Sequence, residues 1–124
     1  MTLNHINLVV SNVTEAVALF ETYFNFKCIA LKGAGVIAIL KDAKDFTLVL
    51  MSNKNEQPSY PDAFHIGFLQ DSAAAVFNLY DQLKAGGIDV GPGPGKIRGS
   101  FGFYFIFDHI MIEISSTEQD RYPS

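Results

Sequence analysis

Three ionisable side chains in the sequence, His5, His65 and Glu113, are of types that bind metal ions. Each lies in a short apolar run that predicts a β-strand, and these runs span Leu3–Ser11, Ala63–Gln70 and Ile110–Ser115. Two imidazoles and one carboxylate are a known ligand set for a divalent metal that keeps open positions for water and substrate. Such an ion would act as a Lewis acid and stabilise negative charge as it develops on a substrate oxygen.

Each of the three residues also has a simpler explanation. His5 and His65 could be hydrogen-bonded histidines at the start of a strand, and Glu113 could face solvent or pair with an arginine. An unpaired buried carboxylate costs several kcal/mol or becomes neutral through a raised pKa, so the position of Glu113 in an apolar run requires a reason. The three residues are far apart in the sequence, and only the fold can bring them together.

The elements that must position these residues follow the same order in both halves of the chain. The first half predicts a strand at His5, a helix capped by Asn12, and three strands at Lys27–Lys32, Val36–Lys41 and Phe46–Met51. The apolar stripe of its helix comprises Val13, Ala16, Val17, Phe20, Tyr23 and Phe24.

The second half repeats this order from the strand at His65. It predicts a helix capped by Asp71, whose apolar stripe comprises Val76, Phe77, Tyr80 and Leu83. A short strand at Ile88–Val90, an irregular Gly91–Gly95 and a final hairpin of Phe101–Phe107 and Ile110–Ser115 follow. Aligned on the histidines, Leu48–Leu50 matches Ile112–Ile114, which predicts a duplicated unit.

The 124 residues predict a single domain. We expect module one at about residues 1–52, a linker at 53–62, module two at about 63–116 and a loose polar tail at 117–124. The linker is long enough for the modules to pair either within one chain or across a dimer.

Composition narrows the functional classes. Hydrophobic residues make up 48% of the chain and charged residues 18%, which favours a packed core over disorder. A net charge of −4 with nine scattered Lys and Arg residues argues against nucleic-acid binding. No apolar run reaches the roughly 18 residues of a membrane span, and the first residues carry no export signal. The single cysteine, Cys28, excludes an internal disulfide and a multi-thiolate metal site, so a cytoplasmic protein is expected.

The residues from Leu3 to Ser116 resemble the vicinal oxygen chelate superfamily. The resemblance rests on the two histidine strands, the helix after Asn12 and the ending Phe103-Tyr104-Phe105 … Ile112-Glu113. This superfamily includes glyoxalase I, fosfomycin-resistance thiol transferases, extradiol dioxygenases, methylmalonyl-CoA epimerase and bleomycin-resistance binding proteins. The resemblance implies an α+β fold of two βαβββ modules that form a curved mixed sheet around a central cavity, commonly in a homodimer.

The resemblance assigns His5, His65 and Glu113 to three metal-ligand positions of the metal-binding members. The fourth ligand position of glyoxalase I and the epimerase matches Val49, which cannot bind a metal and disfavours both of those activities. A set of three protein ligands is similar to the ligand sets of the fosfomycin-resistance enzymes and the extradiol dioxygenases. Tyr104 matches a substrate-facing tyrosine of the fosfomycin-resistance enzymes, although it could equally pack within its aromatic hairpin.

Other positions depart from these relatives. Asn7 stands where the fosfomycin-resistance enzymes have a threonine, and their cation-binding loop is not recognisable in Gly95–Ser100. Lys96 and Arg98 could clamp an anionic substrate or be solvated loop charges. His109 matches no extra catalytic histidine of the dioxygenases and is expected at the surface.

The sequence therefore supports two functions. The first is a metal-dependent enzyme of the lyase, thiol transferase or dioxygenase-like type, which uses Mn, Fe, Ni or Zn and a small-molecule substrate. The second is a metal-free protein that sequesters an aromatic or apolar compound, as bleomycin-resistance proteins do. Either would be a homodimer without nucleic-acid or membrane partners.

Overall fold

The computed structural model describes residues 1–53 and 57–117. The chain divides into two compact units, Met1–Ser59 and Tyr60–Ser124. In the described residues, no helix is long and apolar enough to cross a membrane. Part of the predicted linker (residues 54–56) and most of the predicted tail (residues 118–124) lie outside the described residues.

The first unit is a four-stranded mixed sheet with one helix. Its elements are β1 (His5–Val9), α1 (Val13–Tyr23), β2 (Lys27–Lys32), β3 (Ile37–Lys41) and β4 (Thr47–Met51). The strand order is β1-β4-β3-β2, in which β1 runs parallel to β4 and the other pairs are antiparallel.

The second unit repeats this topology. Its elements are β5 (His65–Leu69), α2 (Ala73–Ala85), β6 (Gly95–Ile97), β7 (Ser100–Phe107) and β8 (Ile110–Ser116). The strand order is β5-β8-β7-β6, with β5 parallel to β8. The predicted α+β class and its two βαβββ modules are confirmed.

One face of each sheet packs against the helix of its own unit. In the first unit α1 contacts β2, β3 and β4, and in the second α2 contacts β7 and β8. The side chains between the layers are almost fully buried, among them Phe20, Leu40, Leu50, Val76, Leu83, Ile112 and Ile114. Because strand side chains alternate between faces, the residues between these buried positions lie on the opposite face of each sheet, here called the open face.

The helix caps show one correct and one wrong prediction. The Asn12 side chain accepts a hydrogen bond from the Glu15 N–H at 3.0 Å, as predicted for an N-cap. The cap of α2 is Ser72 rather than Asp71, since the Ser72 hydroxyl oxygen accepts from the Ala75 N–H at 3.1 Å. Both side-chain types cap helices, and only the position of the first turn decides between neighbours.

The buried face of each helix includes a leucine that the predicted stripe left out. Leu19 and Leu79 are buried, whereas Val17 and Phe77 are only partly buried. Each helix has apolar residues on both sides of its predicted stripe, so the sequence allowed two choices of the face that is buried. Packing on the sheet selected the face that includes these leucines.

The strand predicted at Ile88–Val90 is wrong, because these residues form no strand. Val90 is nevertheless buried, so its apolar side chain reflects packing from a loop rather than strand pairing. The strand of this region is β6, where Gly95 pairs with Gly102, so Gly95 is not irregular as predicted.

A two-residue turn at Asp108–His109 joins β7 to β8. Both residues have positive φ, 49° and 70°, as a type I′ hairpin turn requires. This turn pairs Phe107 with Ile110 and, three residues further along each strand, Tyr104 with Glu113. The register therefore places Glu113 on the open face.

Candidate functional site

Three neighbouring strands of the second unit bring together the side chains of the candidate site. On the open face, β5 presents His65 and Gly67, β8 presents Glu113, and β7 presents Tyr104. Glu113 pairs with Gly67 on one side and with Tyr104 on the other, while His65 is one position diagonal to it. Side chains at direct and diagonal cross-strand positions are close enough to interact.

His65 and Glu113 face each other. The His65 Nε2 lies 3.8 Å from the Glu113 Oε1, and the His65 Nδ1 lies 3.1 Å from the Ala63 carbonyl oxygen. A carbonyl oxygen only accepts, so the Nδ1–H must be the donor, and a neutral imidazole then carries its lone pair on Nε2. In that neutral form, Nε2 and the Glu113 Oε1 are two electron-rich atoms that face each other across this gap, an arrangement that a cation between them would stabilise.

A buried hydroxyl orients the Glu113 carboxylate. The Ser115 hydroxyl donates a hydrogen bond to the Glu113 Oε2 at 3.0 Å, and Ser115 is only 5% exposed. The Glu113 side chain itself is 22% exposed. One carboxylate oxygen is thus occupied by Ser115, and the other is directed at His65.

Tyr104 interacts with both members of this pair. Its ring is edge-on to the His65 ring, with the centroids 6.1 Å apart. The pKa of Tyr104 is raised above 10.0. The largest cause is a hydrogen bond with the Glu113 carboxylate, and partial burial and the negative charge of Glu113 act in the same direction, whereas the charge of Arg98 lowers the pKa. Tyr104 therefore keeps its phenolic proton at neutral pH.

This raised pKa predicts a pH effect in the metal-free protein. A phenol whose pKa is higher in the folded than in the unfolded state stabilises the fold fully below pH 10, and this contribution is lost as pH rises through the folded pKa. We expect Glu113→Gln to return the pKa of Tyr104 toward 10.0, because the charge and the strongest acceptor are removed. Ultraviolet absorbance of phenolate during a pH titration measures it, with Tyr104→Phe identifying the transition. An unchanged transition in Glu113→Gln would contradict this prediction.

His5 belongs to the first unit. Its Nδ1 lies 2.7 Å from the Asn4 Oδ1, so an Nδ1–H donor leaves Nε2 with its lone pair, as in His65. Within β1 and β4, Asn7 pairs with Val49 as Gly67 pairs with Glu113. The predicted match of Val49 with Glu113 is confirmed by these registers, so a valine occupies the position of the first unit that corresponds to Glu113.

The residues of the candidate site fit a divalent metal in their chemistry. Ligating histidines commonly donate their second ring nitrogen to a carbonyl or amide oxygen, and ligating carboxylates are commonly hydrogen-bonded themselves. His5, His65 and Glu113 each show the corresponding contact. Within the described residues 1–53 and 57–117, no group of three His, Cys, Asp or Glu side chains could hold a metal ion.

Two residues of the open face that contact or pair with Glu113, Ser115 and Gly67, were not found from the sequence. Ser115 could have been found from its spacing, since positions two apart on a strand share a face and Glu113 is two residues earlier. Gly67 follows His65 by the same spacing. Of the remaining sequence candidates, His109 is exposed in the β7–β8 turn, and Lys96 and Arg98 are exposed in and next to β6, from where the charge of Arg98 acts on Tyr104.

A sequence model of the Glyoxalase/Bleomycin resistance protein/Dioxygenase superfamily matches residues 2–115. The chain belongs to this superfamily. The vicinal oxygen chelate resemblance is confirmed by this match, which covers both units. None of the curated proteins matches the chain.

Solved structures with the same superfamily fold include proteins of several activities. A possible glyoxalase from Bacillus cereus is 33% identical, with a TM-score of 0.78 over 93% of this chain and 98% of that chain. The fosfomycin resistance protein FosX from Listeria monocytogenes is 22% identical, with a TM-score of 0.74 and 98% of both chains covered. A lactoylglutathione lyase from Agrobacterium tumefaciens is 17% identical, with a TM-score of 0.72 over 98% of this chain and 97% of that chain. At these identities, the likeness to the last two is evidence for the fold alone.

Proposed function

We propose that this superfamily member is a metal-dependent enzyme that acts on a small molecule, with a divalent ion held by His5, His65 and Glu113. The observation that carries the proposal is the His65–Glu113 pair, 3.8 Å apart between Nε2 and Oε1. Ligands about 2.1 Å from a tetrahedral metal are roughly 3.4 Å from each other, so a small side-chain adjustment would suffice.

One known structure supports a metal in this fold. FosX from Listeria monocytogenes, in an E126Q variant, was solved in complex with Mn(II) and 1S,2S-dihydroxypropylphosphonic acid. Because that protein is only 22% identical to this chain, it supports the proposal that a metal ion and a small oxygen-bearing ligand bind here, but it does not identify the substrate. A ligand set of two imidazoles and one carboxylate is suited to each of the four metals considered, Mn, Fe, Ni and Zn.

The chain's own residues have distinct tasks in this proposal. A bound ion would supply Lewis-acid chemistry at the substrate oxygens. The Ala63 carbonyl and the Ser115 hydroxyl hold the His65 ring and the Glu113 carboxylate in their orientations. The Tyr104 hydroxyl retains its proton, and it would have to release the Glu113 carboxylate in order to donate a hydrogen bond to a substrate oxygen. Val49 supplies neither a ligand nor a base, so a lyase of the glyoxalase I type is disfavoured against a thiol transferase or a dioxygenase-like enzyme.

Elemental analysis of protein purified without chelators tests this function. We expect about one equivalent of a divalent metal per chain in the unmodified protein, and loss of that metal in His65→Ala, because three protein ligands are the usual minimum at such a site. His109→Asn is the matched control, since His109 is exposed and asparagine tolerates its positive φ. Equal metal contents in all three proteins would contradict a role for His65.

The open face also favours the second candidate function, a metal-free protein that sequesters apolar compounds. Leu69 is 71% exposed and Ile106 is 60% exposed, and both lie on this face with Tyr104, itself 37% exposed. Apolar side chains of this kind can bind an aromatic molecule without a metal. Absence of metal at every concentration tested, together with tight binding of aromatic compounds, would favour this function.

Homodimer assembly, a cytoplasmic location and the module boundaries near residues 52 and 63 stay predictions.

A further inference from the structure

Gly67 lies in the middle of β5, although neither its backbone nor its packing requires glycine. Its φ is not among the positive values, so any residue can adopt its conformation. A Cβ at this position would meet only the Glu113 side chain, with Oε2 at 3.7 Å and Cβ at 4.0 Å. Both distances are ordinary van der Waals contacts.

Two comparisons within the protein support this conclusion. At Gly102, on β7, a Cβ would run into the Ile114 carbonyl oxygen, so packing does require that glycine. At Asn7, the position in β1 that corresponds to Gly67 by register, the chain carries a full side chain. The strand position itself therefore accommodates a side chain.

Glycine in the interior of a strand weakens it, and it often marks a place where a ligand approaches the backbone closely. Gly67 is exposed and has His65 and Leu69 as its neighbours on the open face, with Glu113 beside it on β8. The missing side chain leaves the backbone beside the Glu113 carboxylate accessible, next to the exposed apolar surface of Leu69.

We propose that Gly67 determines specificity: an apolar group of the bound molecule lies against its backbone, between the Glu113 carboxylate and the Leu69 side chain. The inference rests on the proposed function, in which His65 and Glu113 hold the ion that binds the oxygens of the same molecule. The substrate class is then a small molecule with two adjacent oxygens and an aromatic or branched apolar substituent. A side chain at position 67 excludes the substituent and leaves the oxygens bound.

Two hydroxamic acids of different size test this specificity on the Mn(II)-loaded protein. Acetohydroxamic and benzohydroxamic acid chelate through the same pair of oxygens but carry a methyl and a phenyl group. We expect Gly67→Val to weaken benzohydroxamic acid at least about tenfold and acetohydroxamic acid less than about threefold, measured by calorimetric titration. Gly95→Val is the matched control, because a Cβ there meets nothing within 4 Å, and it should change neither affinity.

Three further measurements separate the possible failures. Gly67→Ala should raise the melting temperature by about 1–4 °C, and a clear fall would overturn the inference because the fold would then need this glycine. Equal losses for both acids in Gly67→Val, or no loss, would also overturn it. Absence of binding of Mn(II), Fe(II), Ni(II) and Zn(II) alike, read by electron paramagnetic resonance for Mn(II) and by elemental analysis after dialysis for the others, would refute the proposed function instead. In that case 1-anilinonaphthalene-8-sulfonate replaces the acids: weaker binding by Gly67→Val supports the inference, and unchanged binding overturns it.

Discussion

Replacing Gly102 with alanine is expected to destabilise the protein by about 3 kcal/mol or more. The new Cβ would run into the Ile114 carbonyl oxygen and would also lie 2.8 Å from the Ser115 Cα. These are backbone atoms of β8, a central strand that pairs with β5 and β7, so relief requires the strands to separate. Chemical denaturation, followed by circular dichroism, measures the loss.

Gly95→Ala is the control for this prediction. Gly95 pairs with Gly102 across β6 and β7, and a Cβ there meets nothing within 4 Å. Its stability should stay within about 1 kcal/mol of the parent protein. A loss below about 1 kcal/mol in Gly102→Ala would show that β7 and β8 approach each other less closely than described.

Glu113→Gln is expected to lower the affinity for a divalent metal more than about 100-fold, because even the loss of an outer hydrogen-bond partner of a ligand costs about 10- to 100-fold. Glutamine has the same shape and its amide oxygen can still accept from Ser115, so the fold should persist while the negative charge is lost. Competition with a chelating dye measures the affinity.

Glu15→Gln is the matched control, since Glu15 is an exposed acid in the first turn of α1. It should bind metal as the unmodified protein does. Metal affinity in Glu113→Gln equal to that of the parent would remove Glu113 from the ligand set and leave the His65–Glu113 contact as a surface ion pair.

Much of the fold could be predicted because each half repeats the same local signals. Apolar runs ended by Gly or Asp located the strands, and the Asn12 cap located the start of α1. The duplication then followed from the placement of His5 and His65, which the parallel pairs β1–β4 and β5–β8 confirm.

What could not be predicted depends on neighbours across strands. Val90 has an apolar side chain that packs from a loop, and Gly95 enters a ladder only because β7 provides a partner. Gly67 gains its role from contact with Glu113, which lies on the neighbouring strand. Local sequence patterns describe burial and do not identify such partners.

The two-residue turn at Asp108–His109 sets which face of β8 carries Glu113, so the site depends on whether the number of residues in this turn is even or odd. Side chains on a strand alternate with a period of two, so shifting β8 by one residue against β7 would exchange its two faces. Glu113 would then point toward α2, and Ile112 or Ile114 would take its place beside Tyr104. Insertions or deletions of a single residue in this turn should therefore be far less tolerated during evolution than changes of the same size in the linker between the units.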